Sequence, residues 1–255
     1  MQVTFVGGLD RADTATVATS VGAASGWEAL PVALELHCSP RGVGDLLEGR
    51  ITLAGFREAV GERWWSDRLE TILGAEQLAQ ALDNLSTGYE RDPIGCCRRL
   101  IVELVTPFGE RSGAAGVVEH SHANLVYAPI IERLFPESRF IHAVRDGREA
   151  ATRGEEVRTA GELLAALDRW AQGLRAIDAG VRVREEGASY GVWPDRLEVK
   201  MLGPEETPGG GWRHGLSGRE QKRVARRYAR TLRELSDEGV HCAPQLLEAR
   251  ERAGG

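Results

Sequence analysis

The chain has 255 residues, of which 42% are hydrophobic and 27% are charged, and its formal net charge at pH 7 is −6. These values are typical of a globular protein with a full hydrophobic core, and the negative charge argues against non-specific binding to nucleic acid. No apolar run approaches the roughly 20 residues of a membrane span. The first residues, M-Q-V-T-F-V, resemble a strand more than a secretion signal. We therefore expect a cytosolic protein with neither a membrane nor a nucleic-acid partner.

The first part of the chain alternates between predicted strands and helices and then becomes helical. Short apolar runs predict buried strands at residues 3–6 and 31–37, with a helix between them at 14–24. Apolar residues at three- and four-residue steps predict further helices at residues 53–65, 75–84 and 92–108. We interpret residues 40–112 as a helical insertion that shapes a substrate cleft.

The second part of the chain returns to alternation. Strands are predicted at residues 115–119, 139–144 and 197–201, and helices at 124–135, 160–184 and 217–238. In the last helix Ser217 is the predicted N-cap, and Glu220 stands three residues on, which is the spacing of a capping box. We interpret the basic side of this helix as an exposed face rather than a nucleic-acid site.

This order of elements predicts the fold class. Strands that alternate with helices indicate a single α/β domain over residues 1–255, a three-layer sandwich with a central parallel sheet and right-handed crossovers. Ligands of such sheets bind outside the carboxyl ends of the strands. Most of the candidate residues discussed below follow a predicted strand, so we expect them to form one site.

Cysteine and histidine positions give little support for a metal site. The chain has four cysteines, at Cys38, Cys96, Cys97 and Cys242. They show no C-x-x-C spacing and no disulfide framework, so we expect free, mostly buried thiols. His120 and His122 lie beside a glutamate, but no third ligand has suitable spacing. We therefore expect no metal.

Two loops have the features of anion sites. V-G-G-L-D-R-A-D-T, at residues 6–14, joins the first strand to its helix, and R-D-G-R, at residues 145–148, follows the strand predicted at 139–144. Glycines in such a loop allow backbone N–H groups and a helix N-terminus to approach a phosphate. No G-K-[ST] follows the glycines, so the first loop is not a Walker A motif and ATP or GTP hydrolysis is disfavoured.

These loops carry a resemblance to a known family. L-F-P-E-S-R-F-I-H-A-V-R-D-G-R, at residues 134–148, resembles the segment with which sulfotransferases bind the 3′-phosphate of PAPS (3′-phosphoadenosine 5′-phosphosulfate), the activated sulfate donor. The first loop resembles their 5′-phosphosulfate loop, G-x-x-R-S-G-T-T. Arg11 and Thr14 match that pattern, whereas Ala12, Asp13 and Ala15 depart from it. The similarity covers most of the chain and implies a P-loop-like sulfotransferase fold of the bacterial small-molecule or glycan type.

The departures have an energetic consequence. An aspartate beside a phosphosulfate adds repulsion of about 1 kcal/mol or more unless the carboxylate is solvated or paired. Each lost hydroxyl removes about 1–3 kcal/mol of anion stabilisation. The first loop is therefore expected either to bind PAPS more weakly than the usual pattern does or to use a rearranged backbone.

The resemblance implies a set of donor-binding residues on both loops and on a late W-R segment. They are Gly8, Arg11, Thr14, Arg145, Arg153, Trp212 and Arg213. Arg145 is expected to bind the 3′-phosphate with its planar fork, and Trp212 to stack on the adenine. Arg148 either faces the phosphate or pairs with Asp146 or Glu149.

Three side chains are the candidates for chemistry. Glu35 lies at the end of the second predicted strand and is the expected base for the acceptor hydroxyl, with His37 as the alternative. The resemblance also assigns His120 to the leaving oxygen, and Arg11 joins these residues as a cation for the developing charge. The alternative for Glu35 is a purely structural ion pair with Arg11.

Together these features predict a sulfotransferase. It would move a sulfuryl group from PAPS, without a metal, to a hydroxyl or amine of a sugar or small-molecule acceptor. One alternative is a catalytically impaired binding protein of the same fold, which Ala12 and Asp13 favour. A weaker alternative is a nucleotide-dependent phosphotransferase.

Overall fold

In a computed structural model of the chain, the described residues are 2–37, 40–66, 74–152, 159–182, 196–203 and 211–252. Five parallel strands form one sheet, in the order β2-β3-β1-β4-β5. The strands are β1 (Gln2–Gly8), β2 (Glu28–Ala29), β3 (Gly116–Glu119), β4 (Arg139–Arg145) and β5 (Leu197–Leu202). The first strand therefore lies at the centre of the sheet, hydrogen-bonded to β3 on one side and to β4 on the other.

Helices connect and cover these strands. They are α1 (Arg11–Ser25), α2 (Val43–Leu47), α3 (Leu53–Ser66), α4 (Ala75–Gly88), α5 (Pro93–Ser112), α6 (Ala128–Leu134), α7 (Gly147–Ala150), α8 (Ala160–Arg182), α9 (Gly218–Asp237) and α10 (Ala243–Arg252), with a 3₁₀ helix at His122–Leu125. No helix in the described ranges combines the length and the apolar character that a membrane span requires.

Alternation along the strands separates two faces of the sheet. Val6 of β1 and Ile141 of β4 point to one face and pack against Val17 of α1. Their neighbours Phe5 and Phe140 point to the other face and pack in the cluster that contains α5, α6 and part of α8. Because successive side chains of a strand alternate, a single sheet supports both layers. The fold is thus α/β, with a five-stranded parallel sheet and helices on both faces.

The predicted second strand, residues 31–37, is wrong. The strand in this part of the chain is β2, which has two residues, and the following segment turns across the end of the sheet. The backbone N–H groups of Leu34 and Glu35 donate to the side chains of Glu119 and Ser121 instead of to a neighbouring strand. Glu35 also has a φ of 51°, a left-handed conformation that a strand excludes.

The helix predicted at residues 124–135 is divided in two. A 3₁₀ turn ends at Leu125, and α6 begins at Ala128 with Pro129 in its first turn. Proline has no N–H to donate and is accommodated at a helix start rather than in its interior. The short helices α2, α7 and α10 were not predicted, whereas the other predicted strands and helices are confirmed with shifts at their ends.

The start of α9 confirms the predicted capping box. Ser217 Oγ accepts a hydrogen bond from Glu220 N, and the Glu220 carboxylate accepts one from Ser217 N at 2.9 Å. Two N–H groups that lack helical partners are thereby satisfied.

Substituting this N-cap gives a local test of the helix boundary. We expect Ser217→Ala to lower the free energy of unfolding by about 1 kcal/mol, because one N-terminal N–H loses its acceptor. Urea denaturation measures the effect. Ser112→Ala, at the C-terminal end of α5, is the control and should cost less; equal losses in both variants would contradict the assignment.

Candidate functional site

The candidate site lies at the carboxyl ends of β1, β3 and β4. The connection that leaves β1 runs to α1 on one face of the sheet. The connections that leave β3 and β4 lead to α6 and α8, which cover the other face. The loops therefore diverge at the end of β1, which is where open parallel sheets form ligand crevices. Both predicted anion loops border this crevice.

The N-terminus of α1 is already capped by a carboxylate from its own loop. Asp10 Oδ1 accepts from Ala12 N at 2.8 Å and from Asp13 N at 3.0 Å. These are N–H groups that a phosphate at a helix N-terminus would use. An anionic ligand would have to bind beside this cap or displace it.

Two residues expected to bind the donor have structural roles here. Thr14 is fully buried, and its hydroxyl donates to the carbonyl of Arg11 at 2.9 Å. The hydroxyl is therefore not directed at a ligand, although it was expected to bind the donor. Gly8 pairs with Ala143 of β4, and a Cβ at this position would lie 2.6 Å from the Ala143 carbonyl oxygen. The close approach of the two strands therefore explains why glycine is needed at this position, and no ligand is required to explain it.

Arg145, the expected 3′-phosphate ligand, forms a buried ion pair with Asp13. Its Nη2 lies 2.7 Å from Asp13 Oδ1, and its Nε lies 3.1 Å from both carboxylate oxygens. The two side chains are only 2% and 5% exposed. Nη1 also donates to the carbonyl of Gly203. The aspartate that departs from the family pattern thus takes up the guanidinium that was expected to hold the ligand.

Of the two roles considered for Arg148, binding a phosphate or pairing with a neighbouring carboxylate, the structure shows the second. Its guanidinium pairs with Asp146, with Nη2 2.7 Å from Oδ2. It also lies over the rings of Tyr228 and Trp212, at 4.5 and 5.1 Å from their centroids. Such cation–π contacts fix the side chain in the protein interior. Arg148 is therefore a packed structural residue.

The role expected for the late W-R segment, in which Trp212 stacks on the adenine, is corrected in the same region. Trp212 belongs to the hydrophobic cluster of α8, α9 and α10 and is 5% exposed, with Arg213 over its ring at 4.9 Å. Its ring is thus not available for adenine stacking in this arrangement, whereas Arg213 is exposed. Arg153, the remaining expected donor ligand, lies outside the described residues.

A titratable residue that sequence reasoning did not select lies beside the R-D-G-R turn. Glu149 is half-buried, and its Oε2 has no hydrogen-bond partner in the described part of the chain. Burial raises its pKa, and the charge of Asp146 raises it further. Nothing in the sequence distinguishes this glutamate from an ordinary exposed helical one.

Arg11, Glu35 and His122 lie together beyond the carboxyl ends of β1 and β3. Arg11 Nη2 lies 2.6 Å from Glu35 Oε1, and His122 Nδ1 lies 3.5 Å from the same oxygen. The side chains of Arg11, Glu35 and His122 are 69%, 27% and 37% exposed, whereas Glu35 Oε1 and His122 Nδ1 are themselves buried, so solutes can reach only the other atoms of these side chains. Oε1 forms no aligned hydrogen bond, so its contact with Arg11 is an ion pair. A carboxylate, a guanidinium and an imidazole together can accept protons and bind anions.

A buried network holds Glu35 in its unusual backbone conformation. The fully buried Glu119 carboxylate accepts from Leu34 N at 2.9 Å, from Ser121 Oγ at 2.5 Å and from Asn124 Nδ2 at 2.7 Å. Ser121 Oγ in turn accepts from Glu35 N at 2.8 Å. Left-handed backbone at a non-glycine residue costs free energy and persists only where surrounding contacts determine it. The end of β3 therefore positions the candidate base.

The alternative base, His37, is part of this network. Asn124 Nδ2 donates to Glu119 and to the carbonyl of Val6, so Asn124 Oδ1 is the atom that faces His37 Nε2, at 2.5 Å. His37 therefore carries a proton on Nε2. The ring is almost fully buried, which makes it a structural donor here and leaves Glu35 as the accessible candidate.

Of the two histidines after β3, the one beside Glu35 is not the one that was expected to take part in the chemistry. His120 was expected at the leaving oxygen, but it is 9% exposed and its Nε2 lies 2.9 Å from the carbonyl of Leu30. His122, which was not assigned a role, is the histidine beside Glu35. The structure thus brings Arg11 and Glu35 together in the ion pair that was the expected alternative for Glu35, and it adds His122 in place of His120.

No protein-family model matches the chain, and a search of curated proteins finds no significant match.

Proposed function

We propose that the protein is a sulfotransferase that moves a sulfuryl group from PAPS to a hydroxyl or amine of a sugar or small-molecule acceptor. The observation that carries the proposal is the accessible Arg11–Glu35 pair, with 2.6 Å between Nη2 and Oε1, beside the N-terminus of α1. The reaction requires a base at the acceptor and a cation for the charge that develops on the leaving oxygen, so the donor would have to separate this pair and bind between its two members. A P-loop-like sulfotransferase fold would put its donor in this crevice, after the central strand.

In the proposed reaction Glu35 takes the proton of the acceptor hydroxyl or amine. The acceptor atom forms a bond to sulfur while the bond between sulfur and the 5′-phosphate oxygen breaks. The electron pair of that bond stays on the phosphate oxygen, and the product is adenosine 3′,5′-bisphosphate. The Arg11 guanidinium stabilises the charge that develops there, and His122 lies beside the base.

The other end of the donor would compete with Asp13. Arg145 can bind a 3′-phosphate only when the Asp13 carboxylate moves away and finds another partner. Displacing a buried carboxylate costs free energy. The proposal therefore includes weak donor binding in the natural chain and tighter binding when residue 13 carries no charge.

A catalytically impaired binding protein of the same fold is the second candidate. It is favoured by the two internal carboxylates, because Asp10 caps α1 and Asp13 pairs with Arg145. The two candidates differ in turnover, since both predict a nucleotide bisphosphate in the crevice. They also share a dependence on Arg145 for binding.

Calorimetry with adenosine 3′,5′-bisphosphate, without and with Mg²⁺, and with Mg-ATP as comparison, tests the binding step. Sulfate transfer from labelled PAPS to a panel of sugars and amines tests the chemistry. We expect Glu35→Gln to lower kcat by about 10²–10⁴-fold, the range of a lost general base, with bisphosphate affinity unchanged. Glu76→Gln, on the exposed surface of α4, is the matched control and should leave both quantities unchanged.

The outcomes separate the candidates. Binding without any transfer would support the impaired protein. If adenosine 3′,5′-bisphosphate binds neither the natural chain nor the Asp13→Asn variant, both candidates fail. Binding of Mg-ATP alone would favour a phosphotransferase.

A further inference from the structure

Three side chains that can bind metals lie close together on the face of the sheet opposite α1, away from the candidate site. His142 of β4 lies against His241 and Cys242, which join α9 to α10. One potential ligand atom from each residue lies within 4.8 Å of those of the other two. His142 points away from the α1 face, because its neighbours Ile141 and Ala143 pack on that face. The cluster is therefore separate from the candidate site.

The imidazoles of the cluster face each other directly. His142 Nδ1 lies 2.8 Å from His241 Nε2. On its other side, His241 Nδ1 lies 2.8 Å from Asp178 Oδ1 of α8. Asp178 also accepts from His241 N and pairs with Arg182, so it is held in place as a carboxylate.

A carboxylate hydrogen-bonded to one ring nitrogen, as Asp178 is to His241, is common behind histidines that bind metals through the other nitrogen. A carboxylate that accepts from Nδ1 leaves Nε2 as the lone-pair nitrogen and orients the ring towards the metal. The Nε2 lone pair of His241 is thereby aimed at His142. A metal between the two rings requires them to separate by about 0.5 Å, since ligand nitrogens at about 2.0–2.1 Å in tetrahedral geometry lie about 3.4 Å apart.

Burial and ligand type indicate which metal the site suits. His142 and Cys242 are fully buried, and the side chain of His241 is 15% exposed. Two imidazoles and a sulfur suit zinc and similar borderline-soft ions, whereas magnesium and calcium prefer oxygen ligands.

We propose that His142, His241 and Cys242 form a structural site for a divalent zinc-type ion, with Asp178 as the carboxylate that orients His241. Coordination displaces the proton of the Cys242 thiol to solvent, moves the His142 ring proton from Nδ1 to Nε2, and forms a metal–thiolate bond without a change of oxidation state. The ion would join β4 to the turn between α9 and α10, about 100 residues further along the chain. It would stabilise the α8–α9–α10 layer rather than take part in transfer.

Metal titration of the untagged full chain tests the proposal. We expect about one equivalent of Zn²⁺ to bind and, at a hundredfold excess over Kd, to raise Tm by about 5–10 °C. Co²⁺ should give visible bands of tetrahedral coordination and a sulfur-to-cobalt charge-transfer band. Cys242→Ser should abolish the sulfur band and weaken Zn²⁺ binding at least tenfold. Cys97→Ser, at another fully buried thiol, should change neither.

The result can also overturn the proposal. If the natural chain binds no stoichiometric Zn²⁺ or Co²⁺, or if Cys242→Ser binds as well as the natural chain, there is no such site and the cluster is a hydrogen-bonded chain. Should Cys242→Ser fail to fold, His241→Gln replaces it, because this side chain is partly exposed. Retained affinity in His241→Gln would equally exclude the site.

Discussion

Replacing Asp13 with alanine is expected to lower the free energy of unfolding by about 3–5 kcal/mol. This is the usual cost of removing one partner from a buried ion pair, because the buried guanidinium loses the carboxylate that balances its charge. Arg145 and Asp13 are 2% and 5% exposed, so water cannot replace the lost carboxylate without opening the structure. Urea denaturation, with the slope of the transition checked for constancy, measures the loss.

Two controls separate the ion pair from general effects of substitution. Asp168→Ala removes the carboxylate of a solvent-exposed pair with Arg227, and we expect a cost of about 1 kcal/mol or less. The double variant Asp13→Leu with Arg145→Met removes both charges and should be more stable than Asp13→Ala. A loss in Asp13→Ala no larger than that in Asp168→Ala would mean that the buried pair does not stabilise the fold.

Under the proposed function, a substitution at Asp13 should change ligand affinity and stability in opposite directions. Asp13→Asn is expected to tighten binding of adenosine 3′,5′-bisphosphate although it destabilises the free chain. A mutation that weakens the fold usually weakens ligand binding as well. Changes of opposite sign would therefore point to competition between the carboxylate and the ligand for Arg145.

Replacing Glu119 with alanine is expected to cost about 3 kcal/mol or more. The carboxylate accepts from Leu34 N, from Ser121 and from Asn124, all in the interior. Each buried donor left without an acceptor costs about 1–3 kcal/mol, with part of the sum recovered by relaxation of the loop. Chemical denaturation gives the total, and amide exchange of Leu34 and Glu35 shows where the loss is located.

Amide exchange provides the decisive comparison for this network. In Glu119→Ala the Leu34 and Glu35 amides should exchange much faster than in the natural chain, and Glu35 should lose its left-handed conformation. Glu110→Ala, at an exposed position of α5, should leave these amides unchanged. Unchanged protection of Leu34 in Glu119→Ala would show that the loop is held by other contacts.

Much of the fold follows from periodicity, but the second strand does not. The run P-V-A-L-E-L-H buries Leu34 and Leu36, so its alternation is that of a half-buried strand. What decides its conformation is the destination of its N–H groups, and those bind side chains about 85 residues away. Acceptors so far away along the chain cannot be inferred from the local sequence.

The candidate site could be predicted in the same partial way. Arg11 follows the first strand, and Glu35 lies in the segment after the short second strand. Because the carboxyl ends of parallel strands lie at the same end of the sheet, the two side chains come together. The partner of Arg145 could not be predicted, because it depends on which side of α1 faces β4. Trp212 was misplaced for a related reason, since a tryptophan after a glycine run fits a ligand surface and a hydrophobic core equally well.

The Asp13–Arg145 pair has a consequence for how any ligand of Arg145 would be bound. Asp13 is a tethered competitor, whose effective concentration at the guanidinium is set by the geometry of α1 and β4. Diluting the protein does not weaken this competition, and salt screens it little because both groups are buried. The fold itself would then set the ligand concentration at which the site begins to fill.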